Sequence, residues 1–189
     1  MNERVLIVSA PSGAGKTTIV KEILKKYPCL GFSVSATNRA KRPGEVNGRD
    51  YYFLTKEDFL QKAKDNQFIE WEEVYPGTYY GTLKEELSRL SLAGKRAIFD
   101  VDVMGGIQLK SIFGPCALAL FIQPPSLEIL EQRLKQRGTE NEESIRKRIG
   151  KASYEMSFAG KFDSVIVNSD LSQALEKVFF LIDSFLNNK

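Results

Sequence analysis

The stretch Ser9-Ala10-Pro11-Ser12-Gly13-Ala14-Gly15-Lys16-Thr17-Thr18 has the residue types and spacing to hold a polyphosphate. Gly13 and Gly15 let the backbone curl until several N–H groups face one anion. A helix N-terminus just beyond such a turn adds partial positive charge. Lys16 can reach the β- and γ-phosphates of a nucleoside triphosphate, and the Thr17 hydroxyl can ligate Mg²⁺. The flanks agree: Val5-Leu6-Ile7-Val8 reads as a strand before the loop, and Ile19, Val20, Ile23 and Leu24 share a helical face after it. The competing explanation is a purely structural glycine turn. One letter departs from G-x-x-x-x-G-K-S/T, namely Ala10 at the first glycine, and it matters only if that position needs positive φ.

A second constellation is Ser35-x-x-x-Arg39-x-x-Arg42-Pro43-Gly44-Glu45-x-Asn47-Gly48-x-Asp50-Tyr51. Pro43-Gly44 keeps this segment out of a helix, and its arginines offer planar forks that can converge on one phosphate. A solvated surface loop is the competing reading. Tyr79-Tyr80-Gly81-Thr82 adds hydroxyls nearby in sequence. Glu70 lies in an apolar run beside Trp71, an expensive place for a lone charge. A carboxylate there matches the adjacent N1–H and N2–H₂ donors of guanine, whereas adenine would present a lone pair. An ion pair with a surface lysine would explain Glu70 equally simply.

These groups need a frame, and the apolar pattern supplies one. Residues 97–103 and 117–122 are near-continuous apolar runs, as in strands buried on both faces of a parallel sheet. With Val5–Val8 and a last strand at Val165–Val167, they predict a doubly wound α/β core with helices on both faces. The core is expected over 1–32, 94–125 and 158–189. A small strand-rich insertion is expected over 33–93, and a helical, basic lid over 126–157. Short strands are expected at 32–35, 51–54, 68–71 and 78–80. Thr55, Thr82 and Thr139 are expected to cap helices, the latter two through T-x-x-E boxes. Ligands of such sheets bind beyond the carboxyl ends of the strands, where both insertions emerge.

Composition narrows the chemistry further. The chain of 189 residues contains no histidine, which removes imidazole-based triads and histidine zinc sites. A reaction near neutral pH must then do without the usual general base, as transfer to an acceptor that is already an anion would. A net charge of +3, with lysines scattered among acidic residues, is a poor footprint for nucleic acid. No apolar run approaches a membrane span. Met1-Asn2-Glu3-Arg4 leads straight into the first strand, so no signal peptide is expected. Cys29 and Cys116 read as two buried, reduced thiols. The expected setting is the cytoplasm, with small-molecule substrates and no obligate protein partner.

Taken together, these segments resemble the guanylate kinases, a family of P-loop nucleoside monophosphate kinases. The resemblance rests on the phosphate loop, the Ser35-to-Tyr51 segment, Phe68-Ile69-Glu70-Trp71 and Tyr79-Tyr80-Gly81-Thr82. It continues through Asp100-Val101-Asp102, Arg133-x-x-x-Arg137-Gly138-Thr139-Glu140, Arg148 and Val167-Asn168-x-Asp170. It implies a P-loop NTPase-type core and transfer of phosphate from ATP to GMP or dGMP, with Mg²⁺. It implies that Ser35, Arg39, Arg42, Tyr51 and Tyr80 hold the GMP phosphate, and that Glu70, Thr82 and Asp100 read or position guanosine. Arg137 and Arg148 would come from the lid, and Asn168 would lie near adenine. Lys16, Arg39, Arg42, Arg137 and Arg148 are the expected catalytic cations.

Thr17 and Asp102 are the expected metal contacts, with Asp102 orienting the hydrated ion and Asp100 facing the acceptor. Either aspartate could instead be a plain strand-end residue. Arg133 could be structural, and Arg146 solvent-exposed. Departures from the family pattern are Ala10, Thr82 where serine is frequent, and Met104-Gly105-Gly106. Three other readings compete: a kinase for AMP or thymidylate, a GTPase through the D-x-x-G match at Asp102–Gly105, and a non-catalytic scaffold.

Overall fold

In the computed structural model, residues 4–136 and 142–187 are described. Five parallel strands form the main sheet: β1 (Val5–Ser9), β2 (Leu30–Phe32), β7 (Arg96–Val101), β8 (Ala117–Gln123) and β9 (Ser164–Val167), in the order β2-β7-β1-β8-β9. Alternation along β1 separates two cores. Leu6 and Val8 pack with Ile19, Val20 and Ile23 of α1 (Lys16–Lys26) and with Val178 and Ile182 of α7 (Leu171–Asn187). Val5 and Ile7 face the other way, against Phe99, Phe121, Phe162, and Leu109 and Phe113 of α4 (Val103–Phe113). The chain order reverses beside β1, which lies between β7 and β8, so the loop leaving β1 sits at the switch point of the sheet.

A second sheet joins β3 (Ala36–Thr37), β4 (Tyr52–Phe53), β5 (Phe68–Tyr75) and β6 (Thr78–Leu83) in the order β4-β3-β6-β5. Its small core is Ala36, Phe59, Phe68 and Leu83, with Phe59 supplied by α2 (Lys56–Lys64). The expected cap holds at α2, where Asp58 N–H donates to the Thr55 hydroxyl at 3.0 Å. A helical pair, α5 (Leu127–Gln136) and α6 (Glu142–Met156), shares a core of Leu130, Leu134, Ile145 and Ala152.

Several local expectations give way to tertiary demands. The strand expected at 32–35 splits, because Ser33 N–H donates to the Ile98 carbonyl of the main sheet while Val34 N–H donates to the Glu86 carboxylate. β5 and β6 extend beyond the expected runs and pair as an antiparallel hairpin. Thr82 caps no helix: it lies in β6, its hydroxyl bonds Glu70, and α3 (Lys84–Leu92) starts behind Leu83 without a side-chain cap. Thr139 lies outside the described residues. Helix α4 was not expected, since Gly105 and Gly106 occupy its first turn. Cys29 is exposed and Cys116 partly so, both as free thiols, and not buried. Neither sits in an apolar cluster, because Cys29 follows the end of α1 and Cys116 ends a 3₁₀ turn before β8. No helix among the described residues is long and apolar enough to cross a membrane.

Glu86 of α3 anchors the crossing between the two sheets. Only 1% exposed, it accepts from Val34 N–H and the Tyr52 hydroxyl, both at 2.8 Å, and from both ends of the Arg89 fork. Burial alone would raise its pKa, but these donors hold it below the ordinary carboxylate range. Glu86→Ala orphans a buried N–H and strips the pair from Arg89. The expected loss is about 2–4 kcal/mol of unfolding free energy, read from urea denaturation; a loss within error would remove the anchoring role.

Candidate functional site

The loop between β1 and α1 is wound as its glycines allow. Gly13 and Gly15 have φ of +97° and +100°, while Ala10 is not in the positive-φ region and packs into the core, so its methyl costs nothing there. Gly15 is required a second time. A Cβ on it would lie 2.4 Å from the Asn168 side-chain nitrogen, which donates to the Ala14 carbonyl at 2.8 Å. Asn168 thus buckles the loop to the end of β9, and its own carbonyl accepts from Arg133 at 2.8 Å. With Gly13, Gly15, Thr18, Arg133 and Asp170 it borders a side cavity of about 500 Å³.

Lys16, the first residue of α1, crosses to the carboxyl end of β7. Its ammonium donates to the Val101 carbonyl at 2.7 Å and forms an ion pair with Asp100. Asp102, two residues on, caps α4 by accepting from Gly105 N–H at 2.8 Å. The cap turns Asp102 toward Glu70, since a Cβ on Gly105 would meet Asp102 Oδ1 at 2.9 Å and Glu70 Oε2 at 3.0 Å. The two aspartates therefore have different neighbours in the same cleft. Asp100 stands at the phosphate-loop lysine and near Tyr51, and Asp102 stands with the buried glutamate.

On the far side of the cleft the second sheet presents its phosphate-type groups. The Arg39 fork binds Glu45 at 2.8 and 3.0 Å, donates to the Tyr80 hydroxyl at 3.2 Å and covers the Tyr51 ring at 5.2 Å. Arg42 is exposed but borders the cleft, and its backbone N–H also donates to Glu45 at 2.7 Å. Burial, with Asp100 nearby, pushes the Tyr51 hydroxyl up to about 12. Glu45 was absent from the expected site residues, although its place in Arg-Pro-Gly-Glu between two arginines was a usable signal.

Glu70 is 6% exposed and accepts from the Thr82 hydroxyl at 2.7 Å. Burial pushes its carboxyl up to about 7, and the charges of Asp102 and Glu72 add to the rise while Thr82 opposes it. Glu72 shares the strand face of Glu70, a period-2 signal the sequence carried, and its carboxyl is also raised by burial. Glu155 of α6 is raised for the same reason. A single cleft of about 360 Å³ takes in Lys16, Thr17, Ser35, Arg42, Tyr51, Glu70, Tyr80, Asp100, Asp102, Arg148 and Glu155. Arg148 donates to the Ser12 hydroxyl of the phosphate loop. Arg137 lies outside the described residues, and Arg146 is exposed.

The Glu70 shift has a stability consequence of definite sign. The folded state holds its proton more tightly than the unfolded chain, so stability falls as pH rises from about 4.5 through about 7. Glu70→Gln removes this component. Relative to the parent, the variant should gain stability above pH 7 by up to about 3 kcal/mol, and thermal melts at pH 5 and pH 8 would show the gap widen. An equal gap at both values would contradict the burial of a titrating carboxyl.

Comparison with known proteins places this geometry in a family. The family model for guanylate kinase matches residues 2–185. The guanylate kinase of Bacteroides thetaiotaomicron is 47% identical over 189 residues, spanning 100% of this chain and 93% of that protein. The guanylate kinase of Porphyromonas gingivalis is 46% identical over 184 residues, spanning 97% and 98%. The crystal structure of guanylate kinase from Anaplasma phagocytophilum superposes with a TM-score of 0.78 at 27% identity, over 99% of this chain and 88% of that one. The chain belongs to the guanylate kinase family.

Proposed function

We propose that this protein transfers the γ-phosphoryl group of ATP to the phosphate of GMP, or dGMP, yielding ADP and GDP. The observation that carries the reading is one cleft with a triphosphate loop at one end and Arg42, Tyr51 and Glu70 at the other. GMP lies with its phosphate against Ser35, Arg39, Arg42, Tyr51 and Tyr80, and its base at Glu70, Thr82 and Asp102. The Glu70 carboxylate, held by the donating Thr82 hydroxyl, presents the pair of acceptor oxygens that guanine's two donors match. A site built on such hydrogen bonds rejects a mismatched base strongly, by as much as roughly 10⁴. ATP lays its phosphates in the Gly13–Thr18 loop, and the cavity beside Asn168 and Arg133 takes its adenine.

No protein base is needed, because the attacking GMP oxygen is already anionic near neutral pH. Repulsion between two phosphate chains is the barrier to be lowered. Lys16, held in place by Val101 and Asp100, and arginines from three segments offset that charge as the phosphoryl group moves in line. Among the described residues no cluster of three or more carboxylates or thiols could hold a metal alone. That suits Mg²⁺, which keeps several waters and is bound mainly by substrate phosphates. Thr17, exposed in the first turn of α1, would hold it, with Asp100 orienting its waters. The ion would neutralise charge on the β- and γ-oxygens. Closure of α5 and α6 over the donor would exclude water and limit hydrolysis. The D-x-x-G match gives no support to a GTPase, since Asp102 and Gly105 are the two ends of a helix-cap bond. The cytoplasm suits a nucleotide-recycling enzyme with free thiols.

An ADP-release assay with ATP, Mg²⁺ and each monophosphate in turn tests this directly. Turnover with GMP and little with AMP or thymidylate is expected; no turnover with any acceptor would leave a binding module. Lys16→Ala should lower kcat by roughly 10²–10³ or more, with GMP affinity unchanged in calorimetry. Glu70→Gln should lower the GMP-over-AMP ratio of kcat/KM by at least about 10². An unchanged ratio would remove Glu70 from guanine recognition.

A further inference from the structure

Helix α6 touches both halves of the cleft through one stripe of side chains. Arg148, Lys151 and Glu155 follow at spacings of three and four residues, so they stack along one face. Arg148 reaches the phosphate loop at Ser12. One turn later, the Lys151 ammonium donates to the Val74 carbonyl at 3.3 Å and lies 4.5 Å from the centre of the Tyr75 ring. Val74 and Tyr75 end β5, the strand that carries Glu70. Lys151 also pairs with Glu155 at 3.5 Å, its side chain only 28% exposed. Its charge draws the Glu72 and Glu155 carboxyls down against the effect of burial.

We propose that Lys151 is a positioning residue that couples the two substrate sites. It holds α6 to the tip of the β5–β6 hairpin, so the lobe that reads the acceptor and the helix that carries Arg148 move as one body. A carbonyl and a ring face together suit an ammonium on a long stem, which slides between them without losing either partner. Acceptor binding that steadies the hairpin acts through Val74 and Tyr75 on Lys151, and so seats Arg148 over the donor phosphates. Linkage makes the effect reciprocal, so bound donor tightens acceptor binding by the same factor. The inference rests on the assignment of GMP to the second-sheet lobe and ATP to the loop.

Calorimetry of the β,γ-imido analogue of ATP with Mg²⁺, with and without saturating GMP, reads the coupling. In the parent protein GMP should tighten the analogue by roughly 5–20-fold. In Lys151→Ala the factor should fall to within about twofold of unity, with each ligand's separate affinity kept within about twofold, and kcat should drop more than either KM. Lys151→Arg, which keeps the cation and its donors, should restore the coupling. Tyr75→Leu, made at a half-exposed ring, should weaken it from the other side and decides the matter should Lys151→Ala fail to fold. Full coupling in Lys151→Ala, no coupling in the parent, or loss of either separate affinity in Lys151→Ala would overturn the proposal. Failure of GMP to bind the parent at all would instead overturn the acceptor-site assignment.

Discussion

The cleft depends on keeping its charges sorted. Its cations come from separate elements: Lys16 from the loop, Arg39 and Arg42 from the segment between β3 and β4, Arg148 from α6. Carboxylates line the same cleft: Glu70, Glu72, Asp102 and Glu155. Burial raises the Glu70, Glu72 and Glu155 carboxyls together, and the charge of Asp102 adds to each rise, whereas Lys16 and Arg39 are paired with Asp100 and Glu45. Guanosine monophosphate carries the complementary pattern, with anionic oxygens at one end and paired donors at the other.

Holding that pattern requires the two sheets to meet at a fixed distance. The buried Glu86 knot ties the Ser33–Ser35 crossing to α3. Lys16 ties the phosphate loop to β7, and Asn168 ties the same loop to β9. Gly105 and Gly106 then let α4 approach closely. A side chain on the first would collide with Asp102 and Glu70, and one on the second would press on the Phe162 ring at 3.0 Å. The glycines that weaken α4 as a helix are thus what allow it to pack against Glu70 and Phe162.

Much of this was legible in the residues. The phosphate loop announces itself through Gly13, Gly15 and Lys16, because positive φ and a reaching ammonium are demands few other residues meet. Glu70 stood out as a charge among apolar neighbours, and it is buried. The long apolar runs at 97–103 and 117–122 did become central strands. Where reading failed, a distant partner had claimed a local signal. The Thr82 hydroxyl went to Glu70 instead of to a helix N-terminus, and Val34 N–H went to Glu86 instead of to a strand ladder. Helix α4 was missed because two glycines in its first turn argue against a helix unless the crowding around them is known.

The residue types alone determined that the chain carries a phosphate-binding loop, that imidazole takes no part, and that Glu70, set among apolar neighbours, needs a polar partner. These follow from backbone freedom, the absence of histidine and the cost of burying charge, none of which needs coordinates. Tertiary structure decided which neighbour each aspartate meets. Asp100 and Asp102 are two apart and would share a strand face, but the bond from Gly105 N–H pulls Asp102 out of the strand and toward Glu70, leaving Asp100 to Lys16. It also brought Lys151 of α6 to the end of β5, across 77 residues of chain. Only packing can make neighbours of groups so far apart, because no local spacing encodes the contact.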